Sequence, residues 1–557
     1  MGNPATENGQ AKTAKDGAPS RVKDLNDLWL SLDGNANRFA EAVEGLMAEA
    51  VPLGPPTPSG VRNSGPAPLT PCAIADRFLS EGLCPLEASD NADPRAPLSS
   101  EVGTDTAEHG SGRRQGWVLK YWREGWFVWN GRYFAEIASA QLSAHLSEFI
   151  QGREWQRENA RGIERVRGNV TVTTLRNVVA TITGRAVVPD SWEPPIWSDG
   201  RRAPHVLTVA NGTLNVERGG LGAGVLDLYE LRKHTPDLFA VNALDTHFAP
   251  HAECPQWIDF LTEVLPGEAE RAVLQQWFGY ALIPSQEYQR ILLMVGEGAN
   301  GKSVVTTVCR GLLGTKNCAA VPLEQLHLPH ALEPLVGRLL NTATEWGRID
   351  EVGLTVLRAI SGGDAVHVNP KYRAGRDYTL PTRFMVSTNE VPQIKDRSDA
   401  IWRRLLVLPF PVQIPEGRQI PLPDLVRRFR AELSGILNWA LGGLHALRHN
   451  GRFTETETMA EAKGEVREAS NPAATWCNDN LKTVPGLDTP LDAAYQSYRT
   501  FCDTNGWRPL AANRFSTEVR RWYRRRTGTP VRCERRRRRG RQIRVFVGVR
   551  MSDSEEF

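Results

Sequence analysis

The stretch from Arg290 to Ser303 constrains the fold of this chain more than any other. A short apolar run, residues 291–295, leads into a glycine-rich octapeptide that ends in a lysine and a hydroxyl residue, Gly296-Glu297-Gly298-Ala299-Asn300-Gly301-Lys302-Ser303. Residues 304–313 then have helical apolar spacing and stop at Gly314. A buried strand, a loop of this pattern and a helix, in that order, form a phosphate-binding loop. The sequence therefore predicts an α/β fold around a parallel sheet.

Each part of this loop suits a nucleotide. Glycines let backbone N–H groups between Gly296 and Val304 approach the phosphates, and the helix N-terminus adds partial positive charge. Lys302 is expected to reach the β- and γ-phosphates, and the Ser303 hydroxyl to bind Mg²⁺. We therefore predict ATP and Mg²⁺ as cofactors.

Polar residues at the ends of later apolar runs are candidates to complete the site. Glu345 follows such a run and is expected to hold the Mg²⁺ shell and polarise the attacking water. Asn389 ends a second run and is placed to hydrogen-bond the γ-phosphate or the water. Arg403 and Arg404 precede a third run, and either arginine could stabilise transition-state charge.

The net charge of +3 conceals an uneven distribution. Residues 520–550 contain 14 arginines and one acid, a net of +13, so the remainder carries 3 − 13 = −10. A cluster of this density predicts a polyanionic partner, here DNA, contacted through Arg535, Arg536, Arg537 and Arg538. Helical patterns at 491–505 and 512–526 and a strand pattern at 543–549 predict a winged-helix domain around it.

Composition excludes other classes. The chain lacks an apolar run of 18 residues, so no membrane span is expected. The eight cysteines include no C-x-x-C pair, and the N-terminus lacks a signal peptide pattern, which together favour the cytoplasm, here of a bacterial host cell. Eight aromatic residues between Trp117 and Phe134 could stack nucleobases, but we favour their packing a small sheet.

The motifs together resemble helicase superfamily three, a branch of the AAA+ ATPases, and most closely the phage- and plasmid-type primase-helicases related to poxvirus replication proteins. The resemblance runs from about Leu207 to the C-terminus. Besides the phosphate loop, its markers are Ala210-Asn211-Gly212-Thr213-Leu214, Cys254-Pro255-Gln256-Trp257, Trp277-Phe278-Gly279-Tyr280-Ala281-Leu282, Ile360-Ser361-Gly362-Gly363-Asp364, Val386-Ser387-Thr388-Asn389 and Ile401-Trp402-Arg403-Arg404. Thr344-Glu345 stands where the family usually has Ser-Glu.

The resemblance implies a ring, a hexamer, in which Arg403 or Arg404 reaches the ATP of a neighbouring subunit. It also implies a DNA-gripping hairpin that carries Lys371, Tyr372 and Arg373. The expected function is an ATP-dependent replicative DNA helicase of a phage, plasmid or phage satellite. The alternatives are a DNA-melting or loading initiator, a packaging ATPase, and a non-catalytic DNA-binding initiator with ATP as its switch.

Six regions are expected along the chain. Residues 1–115 are a largely disordered region with short helices, one of them at 25–48, and a proline-rich linker. A small α+β segment (116–205), a helical and hairpin domain (206–285), the AAA+ core (286–412), a helical segment (413–470) and the winged-helix domain (471–557) follow. Residues 1–115 are too short and disordered for a priming domain, and residues 116–205 lack a paired-carboxylate strand pattern. No priming site is therefore expected, and a separate primase or host replication protein is the expected partner.

Overall fold

The computed structural model describes residues 67–81, 83–84, 114–115, 118–217, 229–371, 374–392, 394, 399–507, 509–538 and 540–552. The predicted helix at 25–48, most of the proline-rich linker, and the hairpin residues Tyr372 and Arg373 lie outside these residues.

A five-stranded parallel sheet lies at the centre of the molecule, which confirms the predicted α/β class. In spatial order its strands are Cys318–Ala319, Leu340–Ala343, Arg383–Thr388, Ile291–Val295 and Leu405–Pro409. Side chains alternate between two cores, so Leu292 and Met294 enter one apolar cluster while Ile291 and Leu293 enter the other. Burial on both faces explains why the strands Ile291–Val295 and Leu405–Pro409 are continuous apolar runs.

Helices cover the first face of the sheet. They are Pro255–Val264, Glu268–Ala281, Lys302–Leu313, Leu422–Ala431 and Leu433–Asn450. The helices Glu268–Ala281 and Leu433–Asn450 cross at Gly279 and Gly443, where an added Cβ would overlap the backbone of the other helix. The hairpin Val206–Val209 and Gly212–Asn215, predicted from Asn211-Gly212, contributes Leu207 and Leu214 to the same cluster. Residues 206–285 therefore share one core with the sheet.

Within the helical segment, the apolar pattern predicts one long helix over 424–449, but this prediction is wrong, because the chain breaks at Glu432 between Leu422–Ala431 and Leu433–Asn450. The Glu432 carboxylate accepts hydrogen bonds from the backbone N–H groups of Gln256 (3.1 Å) and Trp257 (3.0 Å), at the start of the helix Pro255–Val264. These N–H groups lack partners within their own helix, so an acid held there satisfies them and complements the helix dipole.

The second face carries the helix Glu351–Gly362, a strand pair and further short elements. The strands Ala365–Val368 and Arg376–Thr379 pair as an antiparallel hairpin. Asp350 caps the helix by accepting a hydrogen bond from Gly353 N at 2.7 Å. The helices Asp399–Arg404 and Glu457–Ala469 and the short helical turns Leu323–Gln325 and Glu333–Leu335 also belong to this region. The helical turns Thr315–Asn317 and Glu416–Arg418 instead contact helices of the first face, through Asn317 with Leu313 and Arg418 with Glu263.

An N-terminal layer packs aromatic strands against three helices, Pro71–Glu81, Ser139–Gln151 and Val172–Ala186. Its longer strands are Leu119–Trp122, Gly125–Trp129, Phe134–Ile137, Glu154–Asn159 and Gly162–Arg167. Trp126, Trp129 and Phe134 are buried, so the packing interpretation of the aromatic cluster is confirmed for them. Ile74 and Phe78 of the first helix share a core with Trp126, which attaches a segment from before residue 116 to this layer.

Residues 472–552 form a compact unit of three helices and three strands. The helices are Pro472–Asn480, Leu491–Thr504 and Ala512–Thr527. The strands Leu481–Pro490, Arg541–Met551 and Cys533–Arg538 form an antiparallel sheet in that spatial order. Trp476, Tyr498, Phe515 and Phe546 fill its core. The arginine run therefore lies on a two-stranded ribbon that turns at Gly540, whose φ is 78°.

Candidate nucleotide site and nucleic-acid surfaces

The glycine-rich loop is shaped by two left-handed residues, Ala299 (φ 58°) and Gly301 (φ 85°), the latter directly before the helix Lys302–Leu313. A Cβ on Gly301 would lie 2.9 Å from Phe260 Cζ and 3.0 Å from Val264 Cγ1. The loop is thus pressed against the helix Pro255–Val264, and glycine is required by both space and conformation.

The outer side of the loop is open. Glu297, Gly298 and Ala299 are exposed, and a Cβ on Gly298 would meet no atom within 4 Å. Left-handed backbone beside a helix N-terminus directs successive N–H groups toward one concavity, which is the geometry that binds phosphate. The described loop therefore fits a nucleotide phosphate on its exposed side.

Lys302 is almost fully buried and held by the loop itself. Its Nζ donates to Gly296 O at 2.6 Å and to Asn300 Oδ1 at 2.8 Å, and Asn300 Nδ2 donates to Phe410 O at 3.4 Å. Burial lowers the pKa of the Lys302 amine because its charged form loses hydration. The lysine is thus fixed at the base of the loop, where an anionic ligand would favour its charged form.

The central sheet brings the other predicted residues to the same edge. Gly296 N donates to Thr388 O at 3.3 Å, and Asn389 is the next residue along that strand. Ala343 is paired with Val386 in the neighbouring strand, and Glu345 follows two positions later. Because parallel strands end at one edge, Ser303, Glu345 and Asn389 all lie there, and all three are exposed. These oxygen-bearing groups are of the type that Mg²⁺ prefers.

Several supporting residues were not predicted. Thr306 Oγ1 lies 3.3 Å from Ser387 Oγ, and Arg310 donates to Thr342 Oγ1 at 2.7 Å. These contacts tie the helix Lys302–Leu313 to two strands of the sheet. Their only signal in the sequence is a polar residue inside an apolar run, which does not identify the partner.

Arg403 and Arg404 are not brought to the loop. The strand they precede begins at Leu405, which pairs with Ile291 at the start of the loop's own strand. They therefore lie at the opposite edge of the sheet. Arg403 is exposed, whereas Arg404 is partly buried and donates to Ala400 O at 3.0 Å. Burial first, and the neighbouring Arg403 second, lower the pKa of Arg404.

The hairpin Ala365–Val368 and Arg376–Thr379 extends from the second face. Lys371, near its turn, is exposed, and its backbone N–H donates to Glu333 Oε2 at 3.1 Å. Lower in the hairpin, His367 Nδ1 lies 3.0 Å from Asp377 Oδ1. Of the three predicted DNA contacts in this segment, only Lys371 falls among the described residues.

The arginine ribbon divides by strand alternation. Arg535 and Arg537 are exposed on one face, opposite Arg544 and Gln542 of the partner strand. Arg536 points to the other face and forms an ion pair with Asp488, whose side chain is only 4% exposed. Arg538 lies at the end of the same strand. The four arginines therefore do not form one uniform surface.

The described ranges contain neither a metal-binding cluster nor a membrane-spanning helix. Among these residues, no three His, Cys, Asp or Glu side chains come together as a metal-binding group. No helix within them is long and apolar enough to cross a membrane.

Two family models match separate parts of this chain. Residues 108–266 match a family model described as D5 N terminal like, and residues 294–404 match a family of unknown function, DUF5906. The chain is 26% identical over 293 residues to "Putative helicase 121R" of Invertebrate iridescent virus 3, and 24% identical over 273 residues to "Putative helicase 022R" of Frog virus 3 (isolate Goorha). These matches cover 46% and 44% of this chain but only 31% and 28% of the relatives.

A solved structure of the C-terminal region of NrS-1 in its apo form aligns with 77% of this chain and 97% of its own length, with 11% sequence identity and a TM-score of 0.39. At low identity, this chain is related to viral proteins named as helicases, and its residues 108–266 match the D5 N terminal like family model.

Proposed function

We propose that this chain is an ATP-driven DNA helicase of superfamily three, working as a ring in replication. The observation that carries the proposal is the common sheet edge at which Lys302 and Ser303, Glu345 and Asn389 meet. The relatives named as helicases support the class of activity.

Residues of the loop and of the sheet edge would each have a separate role in ATP binding and hydrolysis. Backbone N–H groups of the loop and the Lys302 amine would bind the phosphates of ATP, and Ser303 and Glu345 would hold Mg²⁺. The metal supplies charge neutralisation at the phosphates. Glu345 would also orient the attacking water and take its proton, while Asn389 would hold the water or the γ-phosphate by its amide.

The position of the arginines supports a ring. A strand of five residues spans roughly 13–17 Å, so Arg403, at the far edge, lies too distant to serve the loop of its own chain. An exposed Arg403 can cross to a neighbouring subunit, while the partly buried Arg404 is held by Ala400. We therefore assign the finger to Arg403 and a packing role to Arg404, in a hexamer that would thread DNA past Lys371.

The C-terminal unit favours a second candidate. Its order of elements, helix–strand–helix–helix–strand–strand, fits a winged helix, and its exposed arginines suit duplex DNA. A motor that holds and melts an origin, as an initiator or loader, would use the same ATP site. A separate primase partner, the cytoplasmic location and the mobile-element source stay predictions.

Strand displacement and ATP hydrolysis test these functions together. We expect the wild type to hydrolyse ATP, to respond to DNA and to unwind a fork, and we expect Lys302→Ala to lose hydrolysis by about a hundredfold or more. Lys233→Ala, which removes an exposed lysine, is the matched control. DNA-stimulated hydrolysis without unwinding would favour the initiator, and no hydrolysis under any DNA condition would overturn both.

A further inference from the structure

The hairpin Ala365–Val368 and Arg376–Thr379 does not stand alone, because the N-terminal layer holds it. Arg376 forms ion pairs with Glu124 and with Asp190, the latter at 2.7 Å. The side chain of Arg376 is 28% exposed, so these pairs are only partly screened by water. Two acids from a distant part of the chain thus fix the strand that leads away from the hairpin turn.

A second contact reinforces the first. The Arg123 guanidinium lies 4.4 Å from the Trp122 ring and 4.8 Å from the ring of Tyr378, a hairpin residue. Arg123 also donates to Glu193 Oε1 at 2.5 Å and to Asp190 O at 3.1 Å. A planar cation between two aromatic faces fixes both partners in orientation.

The turn that carries these residues is strained. Arg123 and Glu124 form the two-residue connection between the strands Leu119–Trp122 and Gly125–Trp129, and their φ angles are 49° and 63°. Such turns favour Asn-Gly, because other residues at positive φ cost on the order of 1 kcal/mol each. Glycine would adopt these angles at lower cost, so the contacts that the Arg123 and Glu124 side chains make to the hairpin offset the strain of the turn.

We propose that the Arg123-Glu124 turn is a strut that sets how the hairpin is presented to DNA, with Arg123, Glu124 and Asp190 as positioning residues. The proposal rests on the proposed function, in which this hairpin contacts DNA. The strut links the N-terminal layer to the motor within one chain, so the layer is required for the response to DNA and not for the hydrolysis step.

The test is ATP hydrolysis by the full chain as a function of single-stranded DNA concentration. In Glu124→Gln/Asp190→Asn, both acids lose their charge while their size is kept. We expect the half-saturating DNA concentration to rise about five- to tenfold, because coupled ion pairs contribute on this scale. The rate without DNA should equal that of wild type, and the melting temperature should fall by a few degrees at most, because the lost ion pairs are partly exposed to water. Glu124→Gln alone should raise the half-saturating DNA concentration by less than the double variant does. Glu124→Asp, which keeps the negative charge, should give a value close to that of wild type.

The control is Glu158→Gln/Glu164→Gln, which removes two exposed acids from another hairpin of the same layer. It should leave the DNA response unchanged. If the acid variant binds DNA as well as wild type, or more tightly because Arg376 is released to bind phosphate, the strut is wrong. A wild type that never responds to DNA would instead overturn the proposed function and the strut together.

Discussion

Lys302 and Arg537 are both cations that are expected to bind phosphate, yet they stand in opposite surroundings. Lys302 is buried and donates two hydrogen bonds to its own loop. That loop is itself packed against a helix and a strand. Arg537 is exposed on a two-stranded ribbon, beside other arginines. The first site depends on the whole fold for its geometry, whereas the second depends mainly on the number of charges it presents.

This difference predicts that changing the single carboxylate of Glu345 has a larger effect on activity than removing two arginines of the ribbon has on DNA binding. Glu345→Gln should lower ATP turnover by about a hundredfold while ATP affinity changes little, because the amide cannot accept the proton of water. Equilibrium binding of a labelled nucleotide and steady-state hydrolysis separate the two effects. Turnover within a few-fold of wild type would remove Glu345 from the catalytic role.

On the ribbon, the expected effect is graded and depends on salt. Arg535→Gln/Arg537→Gln should weaken duplex binding and reduce the slope of log affinity against log salt concentration by about 2, since each lost phosphate contact contributes about 0.9. Titrations by fluorescence anisotropy at several salt concentrations measure this slope. An unchanged slope would show that these arginines do not contact phosphate.

Arg536 lies on the same ribbon but is expected to stabilise the fold rather than to bind DNA. Arg536→Gln should destabilise the chain by about 1–3 kcal/mol, because the buried Asp488 carboxylate would lose its ion pair. Chemical denaturation measures the loss, and adding Asp488→Asn should recover much of it. If Arg536→Gln changes the salt slope but not stability, this arginine belongs with its neighbours.

The smallest effect is expected at Asp350, which lies close to Glu345 in sequence but caps the helix Glu351–Gly362. Asp350→Ala should cost about 1 kcal/mol of unfolding free energy, the usual contribution of a helix N-cap, and leave turnover intact. Thermal and chemical unfolding detect this loss. A large loss of turnover at equal stability would place Asp350 in the site and weaken the assignment of Glu345.

Local patterns predicted most of the central sheet. The apolar runs at 291–295 and 405–410 became the strands Ile291–Val295 and Leu405–Pro409, because strands buried on both faces favour apolar side chains throughout. The order of strands follows from long-range packing. The sequence could therefore predict that Glu345 and Asn389 follow strands, and a resemblance was needed to place those strands side by side.

The features that were missed depend on partners distant in sequence. Nothing near Glu432 indicates that its carboxylate accepts hydrogen bonds from Gln256 and Trp257, so a helical pattern was extended through the break. The turn at Arg123-Glu124 lacks the glycine or asparagine that normally marks such a turn. In both places tertiary contacts outweigh the local preference of the chain.

The contact between Gly301 and the helix Pro255–Val264 has a practical consequence for dissecting the protein. Phe260 and Val264 form the wall behind the phosphate loop, and Glu432 holds the start of their helix. A truncated chain that began at residue 286 and stopped at 412, the limits expected for the ATPase, would lose both the wall and its anchor. A fragment that keeps the candidate nucleotide site must therefore include the helix Pro255–Val264 and Glu432, and a fragment that keeps every candidate catalytic residue can still lose the site.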